Sequence, residues 1–273
     1  MPYGTWIIRE IESPKGYVLS EEEIAVTIGK VDEVVEIELV NYFIKGNIAL
    51  TKVDEDYPDN KLSGAVFEVY SDTNGDGKLD KDDTLLGEMK ELDGGVYQMS
   101  ELRYGKYLVK ETKAPTGFVL DENVYAVSIE ENGKTYTVEN KAGVGFINAA
   151  QKGSLKIVKT SSDGKVEGFS FRVTGVDYDQ TFKTDKNGEI VIEGLRIGDY
   201  TVSEVSDKAS AGYILPADKQ ATVKVDATAI VQMHNEFRDT PKTGDDFNLG
   251  LWVSLAALSV VGAGVLGFVG YKN

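Results

Sequence analysis

Short runs in which apolar and polar residues alternate fill most of this chain, and clusters of Gly, Asp and Asn separate them. A period of two puts every second side chain on one face of a strand. The pattern therefore predicts many short β-strands, each with one buried face. Helical periodicity is scarce until an uncharged run from Phe247 to Tyr271. Such strands, joined by turns rather than by helices, predict an all-β chain of tandem β-sandwiches.

Three polar residues per unit break the alternation. In Gly46-Asn-Ile-Ala-Leu-Thr-Lys-Val-Asp54, residues Ile48, Leu50 and Lys52 point the same way, which places a lysine on the core side. In Gly153-Ser-Leu-Lys-Ile-Val-Lys159, Leu155 and Ile157 share a face with Lys159, again six residues after the glycine. By the same parity, Glu111 lies with Tyr107 and Val109, Glu204 with Tyr200 and Val202, and Glu10 with Trp6 and Ile8. Asn148 lies with Val144 and Phe146, Asn235 with Val231 and Met233, and Asn41 with Val35, Ile37 and Leu39. The two lysines are 107 residues apart (52 to 159), as are Asn41 and Asn148 (41 to 148), so the pattern is a repeat.

The repeat divides the chain into residues 1–45, 46–150, 151–237 and 238–273. Met1-Pro-Tyr-Gly-Thr-Trp-Ile-Ile-Arg-Glu10 runs parallel to Leu102-Arg-Tyr-Gly-Lys-Tyr-Leu-Val-Lys-Glu111, with Met1 where leucine stands. The expectation is a chain that starts inside a repeat. Residues 1–45 then supply the C-terminal half of a sandwich, with Glu10 and Asn41 but no first-strand lysine. The opening stretch has no basic segment followed by an apolar one, so no signal peptide is expected there.

An unpaired ammonium costs several kcal/mol to bury, so each core lysine needs a partner or must lose its proton. Burial lowers a lysine pKa and raises that of a glutamate. Side by side, the two can exchange a proton and leave a neutral, nucleophilic amine. That amine can attack the asparagine carboxamide carbon while the protonated glutamate polarises the amide oxygen. Ammonia leaves and a Lys–Asn amide remains, with the fold supplying the effective molarity. The alternative is a buried salt bridge, or a lysine that snorkels to a sheet edge.

Composition narrows the chemistry. The 273 residues suffice for about two domains on a prior of ~150 each. With no cysteine, disulfides, zinc thiolates and cysteine nucleophiles are excluded. The single histidine, His234, falls on the outward face of its strand, so a histidine-based triad has no support. A formal charge of −16 argues against nucleic acid, which needs clustered Lys and Arg.

Leu50-Thr-Lys-Val-Asp54, Leu62-Ser-Gly-Ala-Val-Phe-Glu68 and Lys110-Glu-Thr-Lys-Ala-Pro-Thr-Gly-Phe118 resemble the Cna B-type, or SpaA-like, repeats of Gram-positive surface proteins and pilins. The resemblance implies tandem immunoglobulin-like (prealbumin-like) β-sandwiches. It also implies autocatalytic isopeptides joining Lys52 to Asn148 with Glu111 catalytic, and Lys159 to Asn235 with Glu204 catalytic. Asn140 competes as acceptor in the first full unit, although the spacing of Asn148 to the next glycine matches that of Asn41. The last unit departs from the pattern: Glu204-Val-Ser-Asp-Lys-Ala-Ser-Ala-Gly-Tyr213 lacks the proline and is two residues longer.

Two further motifs stand out. Asp72-Thr-Asn-Gly-Asp-Gly-Lys-Leu-Asp-Lys-Asp-Asp83 fits a twelve-residue calcium loop, with Asp72, Asn74, Asp76, Asp80 and Asp83 as ligands and the Lys78 carbonyl at position 7. Aspartate replaces the usual glutamate at position 12. Thr240-Pro-Lys-Thr-Gly244 precedes a stretch, 248–270, long enough to span a bilayer as a C-terminal transmembrane helix. It is similar to the LPXTG sorting signal, with Thr240 in place of leucine. This implies that a sortase cleaves after Thr243 and joins it to peptidoglycan, the membrane span serving before cleavage.

The expected protein is the stalk of a wall-anchored Gram-positive surface protein, an adhesin or a minor or basal pilin, with an unknown surface ligand bound upstream. The rivals are the spacer of a surface enzyme such as a glycosidase, and a membrane-retained binding module. Apart from self-crosslinking, no enzymatic site is expected.

Overall fold

The computed structural model describes residues 2–238, most of it strand and turn. In the first segment β1 (Gly4–Arg9) and β2 (Glu23–Ile28) form an antiparallel pair. The second unit contains β3 (Lys45–Asp54), β4 (Val66–Ser71), β5 (Thr84–Glu88), β6 (Lys90–Glu91), β7 (Val96–Arg103), β8 (Gly105–Lys113), β9 (Val124–Ile129), β10 (Thr135–Thr137) and β11 (Phe146–Asn148). One sheet runs β10-β3-β7-β6, with β11 also paired to β3, and the facing sheet runs β5-β4-β8-β9. The third unit contains β12 (Lys152–Ser161), β13 (Ser170–Gly175), β14 (Tyr178–Lys183), β15 (Glu189–Arg196), β16 (Gly198–Val205), β17 (Tyr213–Ile214), β18 (Lys219–Val223) and β19 (Thr228–Phe237). Its sheets run β15-β12-β19-β17 and β14-β13-β16-β18. Each sandwich encloses one core, around Phe67, Tyr97 and Phe146 in the second unit and around Phe169, Phe171 and Tyr200 in the third.

The feature that positions the site is the pairing of first strand with last. β11 runs parallel to β3, with Phe146 opposite Lys52 and Asn148 opposite Asp54. β19 runs parallel to β12, with Met233 opposite Lys159 and Asn235 opposite Ser161. In both units the asparagine therefore sits two residues beyond the lysine's partner, which returns its side chain to the lysine's face. The glycine six residues before each lysine allows this close approach: a Cβ on Gly46 would lie 2.8 Å from the Lys134 carbonyl, and one on Gly153 2.1 Å from that of Lys224.

The strands differ from the sequence pattern in three places, the first being Trp6, which shares the face of Ile8 and Glu10 but is exposed on β1. Residues 33–42 carry apolar residues at alternate positions but join no ladder, and Val35 and Ile37 are exposed. The last strands of the other units pair with a first strand, and among the described residues 33–42 have no such neighbour to satisfy their backbone groups. Val144 lies in a turn bounded by Gly143 (φ 71°) and Gly145 (φ 133°), so the last strand of the second unit splits into β10 and β11.

A short linker, residues 149–151, joins the second and third units, and side chains brace it. Arg196, at the end of β15, donates to both oxygens of Asp54 (2.7 and 2.8 Å) and to Asp56 (3.0 Å), and packs over the Tyr57 ring. Lys152 adds a contact to Asp56 at 3.2 Å. Asp54 is buried, and the guanidinium beside it holds its carboxyl below the usual range despite that burial.

Candidate functional site

Lys52, Glu111 and Asn148 converge inside the second sandwich, the first two with no exposed surface. β3 supplies the amine, β8 the carboxyl and β11 the carboxamide. Lys52 Nζ lies 3.9 Å from Glu111 Oε1, donates to the Phe146 carbonyl at 3.0 Å, and sits 5.1 Å from the Phe146 ring centroid. Asn148 Nδ2 donates to both Glu111 oxygens, at 3.0 and 2.9 Å. The Asp121 N–H donates to Glu111 Oε2 at 2.8 Å. Asn148 Oδ1 is buried without a partner, and such an oxygen costs about 1–3 kcal/mol.

Burial pulls the Lys52 ammonium down to about 8, against the opposing fields of Glu111, Asp121 and Asp54. Burial likewise raises Glu111, partly offset by the Asp121 N–H, Asn148 and Lys52. Both shifts move the pair toward its neutral form, amine plus carboxylic acid, and the N–H donors on Glu111 Oε2 oppose the move. The carboxyl already touches the amide nitrogen that would leave as ammonia. The vacant Oδ1 is the oxygen on which charge would develop during attack.

The third unit repeats the arrangement with changes. Lys159, Glu204 and Asn235 are all buried, and Asn235 Nδ2 donates to Glu204 Oε1 at 2.7 Å. Burial lowers Lys159 and raises Glu204. The Lys159 ammonium donates to the Thr160 carbonyl and lies 4.2 Å from the Phe169 ring centroid. Glu204 Oε2 and Asn235 Oδ1 lack partners. In the first segment Asn41 Nδ2 donates to Glu10 Oε1 at 2.7 Å, and the Ser20 N–H to Glu10 Oε2 at 2.8 Å. The carboxyl–carboxamide contact is thus present three times.

Asn140 is placed elsewhere. Its amide nitrogen donates to Asp121 Oδ2 and the Ile147 carbonyl, and its oxygen accepts from the Ile147 N–H. Asn148, not Asn140, meets Glu111. Asp121, which the side-chain pattern did not single out, supplies a backbone donor to Glu111 and a negative charge near Lys52. Its signal was the recurrence of Gly-Tyr-Val-Leu-Ser20, Gly-Phe-Val-Leu-Asp121 and Gly-Tyr-Ile-Leu-Pro216.

The acidic loop between β4 and β5 is held by its own backbone. Asp72 accepts from the N–H groups of Gly75 and Gly77, Asn74 from that of Asp76, and Asp76 from that of Lys78. Asp80 accepts from Asp82, Asp83 from Thr73 and Asp80, and Asn74 Nδ2 bonds Asp80. The Lys106 ammonium reaches the Gly75 carbonyl at 2.8 Å. Among the described residues no three His, Asp or Glu side chains are grouped to hold a metal ion. A calcium ion would therefore need Asn74 and the Lys78 carbonyl as ligands and would displace the Asn74–Asp80 bond. His234 is exposed on β19, between Thr160 and Glu236. Thr240, Pro241, Lys242, Thr243, Gly244 and the span 248–270 lie outside the described residues. Within those residues no helix is long and apolar enough to cross a membrane.

Comparison with known proteins places the fold in a family. The model of the SpaA prealbumin-like fold domain matches three times, over residues 1–42, 46–142 and 153–237. No curated protein matches the chain. Among solved structures, the Bacillus anthracis TIE protein is 27% identical with a TM-score of 0.66, over 87% of this chain. This chain spans only 42% of that protein's length. GBS52, the minor pilin of Streptococcus agalactiae, is 18% identical over 72% of this chain and 98% of its own, with a TM-score of 0.32. A streptococcal ancillary pilin is also 18% identical, over 88% of this chain and 76% of its own, with a TM-score of 0.31. The described residues are all-β, and with three matches that together cover most of its length the chain belongs to the SpaA prealbumin-like fold family.

Proposed function

We propose that this chain is a stalk segment of a Gram-positive cell-surface protein, an adhesin or a minor or basal pilin, whose sandwiches close themselves with Lys–Asn amides. The observation that carries the reading is the buried lysine, glutamate and asparagine that occupy the same strand positions in both complete units, with the asparagine on the glutamate in each and the lysine beside the glutamate in the second. Closure joins Lys52 Nζ to Asn148 Cγ and breaks the bond from Cγ to Nδ2. Glu111 takes a proton from the ammonium and lends it to the amide oxygen. It then carries a proton to Nδ2, which leaves as ammonia. Lys159, Asn235 and Glu204 take the same roles in the third unit. Glu10 and Asn41 are the corresponding acid and acceptor in the first segment.

Each closed unit is a single-turnover product, so the chain is a substrate of its own fold and not an enzyme that turns over. Thr240–Gly244 is read by a sortase, which transfers Thr243 to peptidoglycan and releases the membrane span 248–270. The protein is then displayed on the cell surface, bound to the wall.

Intact mass of residues 1–239 tests the crosslinks. The parent should be lighter than its formula by one ammonia per closed unit. Lys52→Ala and Lys159→Ala should each abolish one such deficit. A parent at full formula mass overturns the amide.

A further inference from the structure

The three glutamates differ in what meets their second oxygen. Ten residues after Glu10 and Glu111 stand Ser20 and Asp121, whose N–H groups each donate to that oxygen at 2.8 Å. Counted along the recurring Gly-aromatic-aliphatic-Leu run, the same place in the third unit is Pro216. Proline has no N–H, and Glu204 Oε2 is buried without a partner. Asn235 Oδ1, on the side chain already bonded to Glu204, is equally unpartnered. A proton on Oε2 would let it donate to that oxygen and satisfy both atoms at once. In the second unit Oε2 already accepts two N–H donors, which suits a carboxylate.

We infer that the residue after this run is a positioning residue for the glutamate's proton: Asp121 draws Glu111 back toward the carboxylate through a backbone N–H, whereas Pro216 withholds that donor and leaves Glu204 the more readily protonated acid. The surrounding charges are similar. Glu111 faces Lys52 of β3, Asn148 of β11 and the Asp121 side chain; Glu204 faces Lys159 of β12, Asn235 of β19 and Asp207 of the following loop. Burial raises both carboxyls, but only Glu111 is drawn back by a backbone donor. The consequence for closure rests on the amide-forming reading. There the third unit starts with its acid more readily protonated, which compensates for a lysine turned toward Thr160.

The test uses the chain with Lys52→Met and Lys159→Met, which blocks closure in both units and keeps both glutamates. Carboxyl carbon NMR then follows Glu111 and Glu204 through a pH titration. Glu204 should titrate above Glu111. Adding Pro216→Ala should shift Glu204 down by about one to two pH units, or 10- to 100-fold in its protonation constant, the size of one hydrogen bond to a charged oxygen. Asp121→Asn, which keeps the N–H and removes the side-chain charge, should lower Glu111, and Asp121→Pro, which removes both, should leave Glu111 above its value in Asp121→Asn. Glu204 titrating at or below Glu111, or indifferent to Pro216→Ala in a chain whose spectrum stays folded, overturns the assignment. The amide reading fails separately, on the mass of the unblocked chain, and that failure would leave this titration intact.

Discussion

A double-mutant cycle on Lys52 and Asn148 separates a covalent crosslink from a buried ion pair. Lys52→Met deletes the nucleophile at nearly constant volume. It removes an ammonium from the core, a gain, and leaves the Phe146 carbonyl without the donor it has at 3.0 Å, a loss of about 1–3 kcal/mol. These oppose each other. The crosslink itself would close 96 residues (52 to 148), worth about 4–5 kcal/mol on the chain-entropy model. For a unit of this size that lowers the melting temperature by roughly 20–35 °C.

The single variant does not decide the matter, because removing one partner of a buried ion pair also costs about 3–5 kcal/mol. The coupling does. If Lys52 and Asn148 share one bond, either substitution destroys it, and the double variant is scarcely worse than the worse single. The interaction energy is then about 4 kcal/mol. If Lys52 only pairs with Glu111, the two side chains still share that carboxyl, and Asn148→Ala couples to Lys52→Met by only about 0.5–3 kcal/mol, short of the full worth of a crosslink. Differential scanning calorimetry on the four chains reads this directly, with the third unit's transition as internal reference. Additive losses at the two positions would refute the crosslink in this unit.

Three further outcomes follow from the geometry. Closure of the second unit, followed by mass on chain refolded from denaturant, should have a bell-shaped pH profile. The reactive amine-plus-acid pair holds one proton; raising the pH past about 8 strips it from the ammonium, and acid adds a second that blocks the amine. A rate still rising at pH 10 would exclude Glu111 as the acid. Arg196→Ala should cost about 3 kcal/mol at pH 7, since it leaves Asp54 buried and unpaired. Asp54 has a folded pKa below its unfolded one, so this stability is present above the unfolded value and is lost as pH falls through the folded one. The parent and the variant should therefore converge in stability at low pH, and a constant gap would refute the pairing. Calcium at 10 mM should raise the second unit's transition by about 1.5–2.7 kcal/mol for a site of extracellular-module affinity. Asp76→Ala should abolish the rise, and no shift in the parent removes the ion from residues 72–83.

The buried faces were legible because the strand period is fixed. Ile48 and Leu50 declare the core side of β3, and Lys52 can only follow them. What the period cannot carry is the partner. Asp54 shares the face of Lys52, so parity marks it as buried, yet the guanidinium that holds it comes from Arg196, 142 residues away. Val144 fits the alternation that ends at Asn148, but the two flanking glycines bend the chain out of the strand before Phe146. The Asp121 donor left no mark in the side-chain alternation, only in the recurring run before it, because a backbone N–H has no residue type. Only proline leaves a mark there, and it does so by subtraction.

The parallel pairing of first and last strands decides what the proposed amide would bear. Tension enters the second unit at Gly46 and leaves after Asn148, so without a crosslink it shears β3 against the three residues of β11. With Lys52 joined to Asn148, the load passes from Gly46 to Lys52, across the amide, and out through residues 149–151. Residues 53–147 hang from that path and carry none of it. Asp54 belongs to this shielded loop, and the Arg196 clamp rests on it. The joint between units would then keep its geometry while the covalent path is under tension. A chain with Lys52→Met would lose both properties together, the shear barrier and the stiffness of the joint, because unzipping β11 from β3 removes the strand position that holds Asp54.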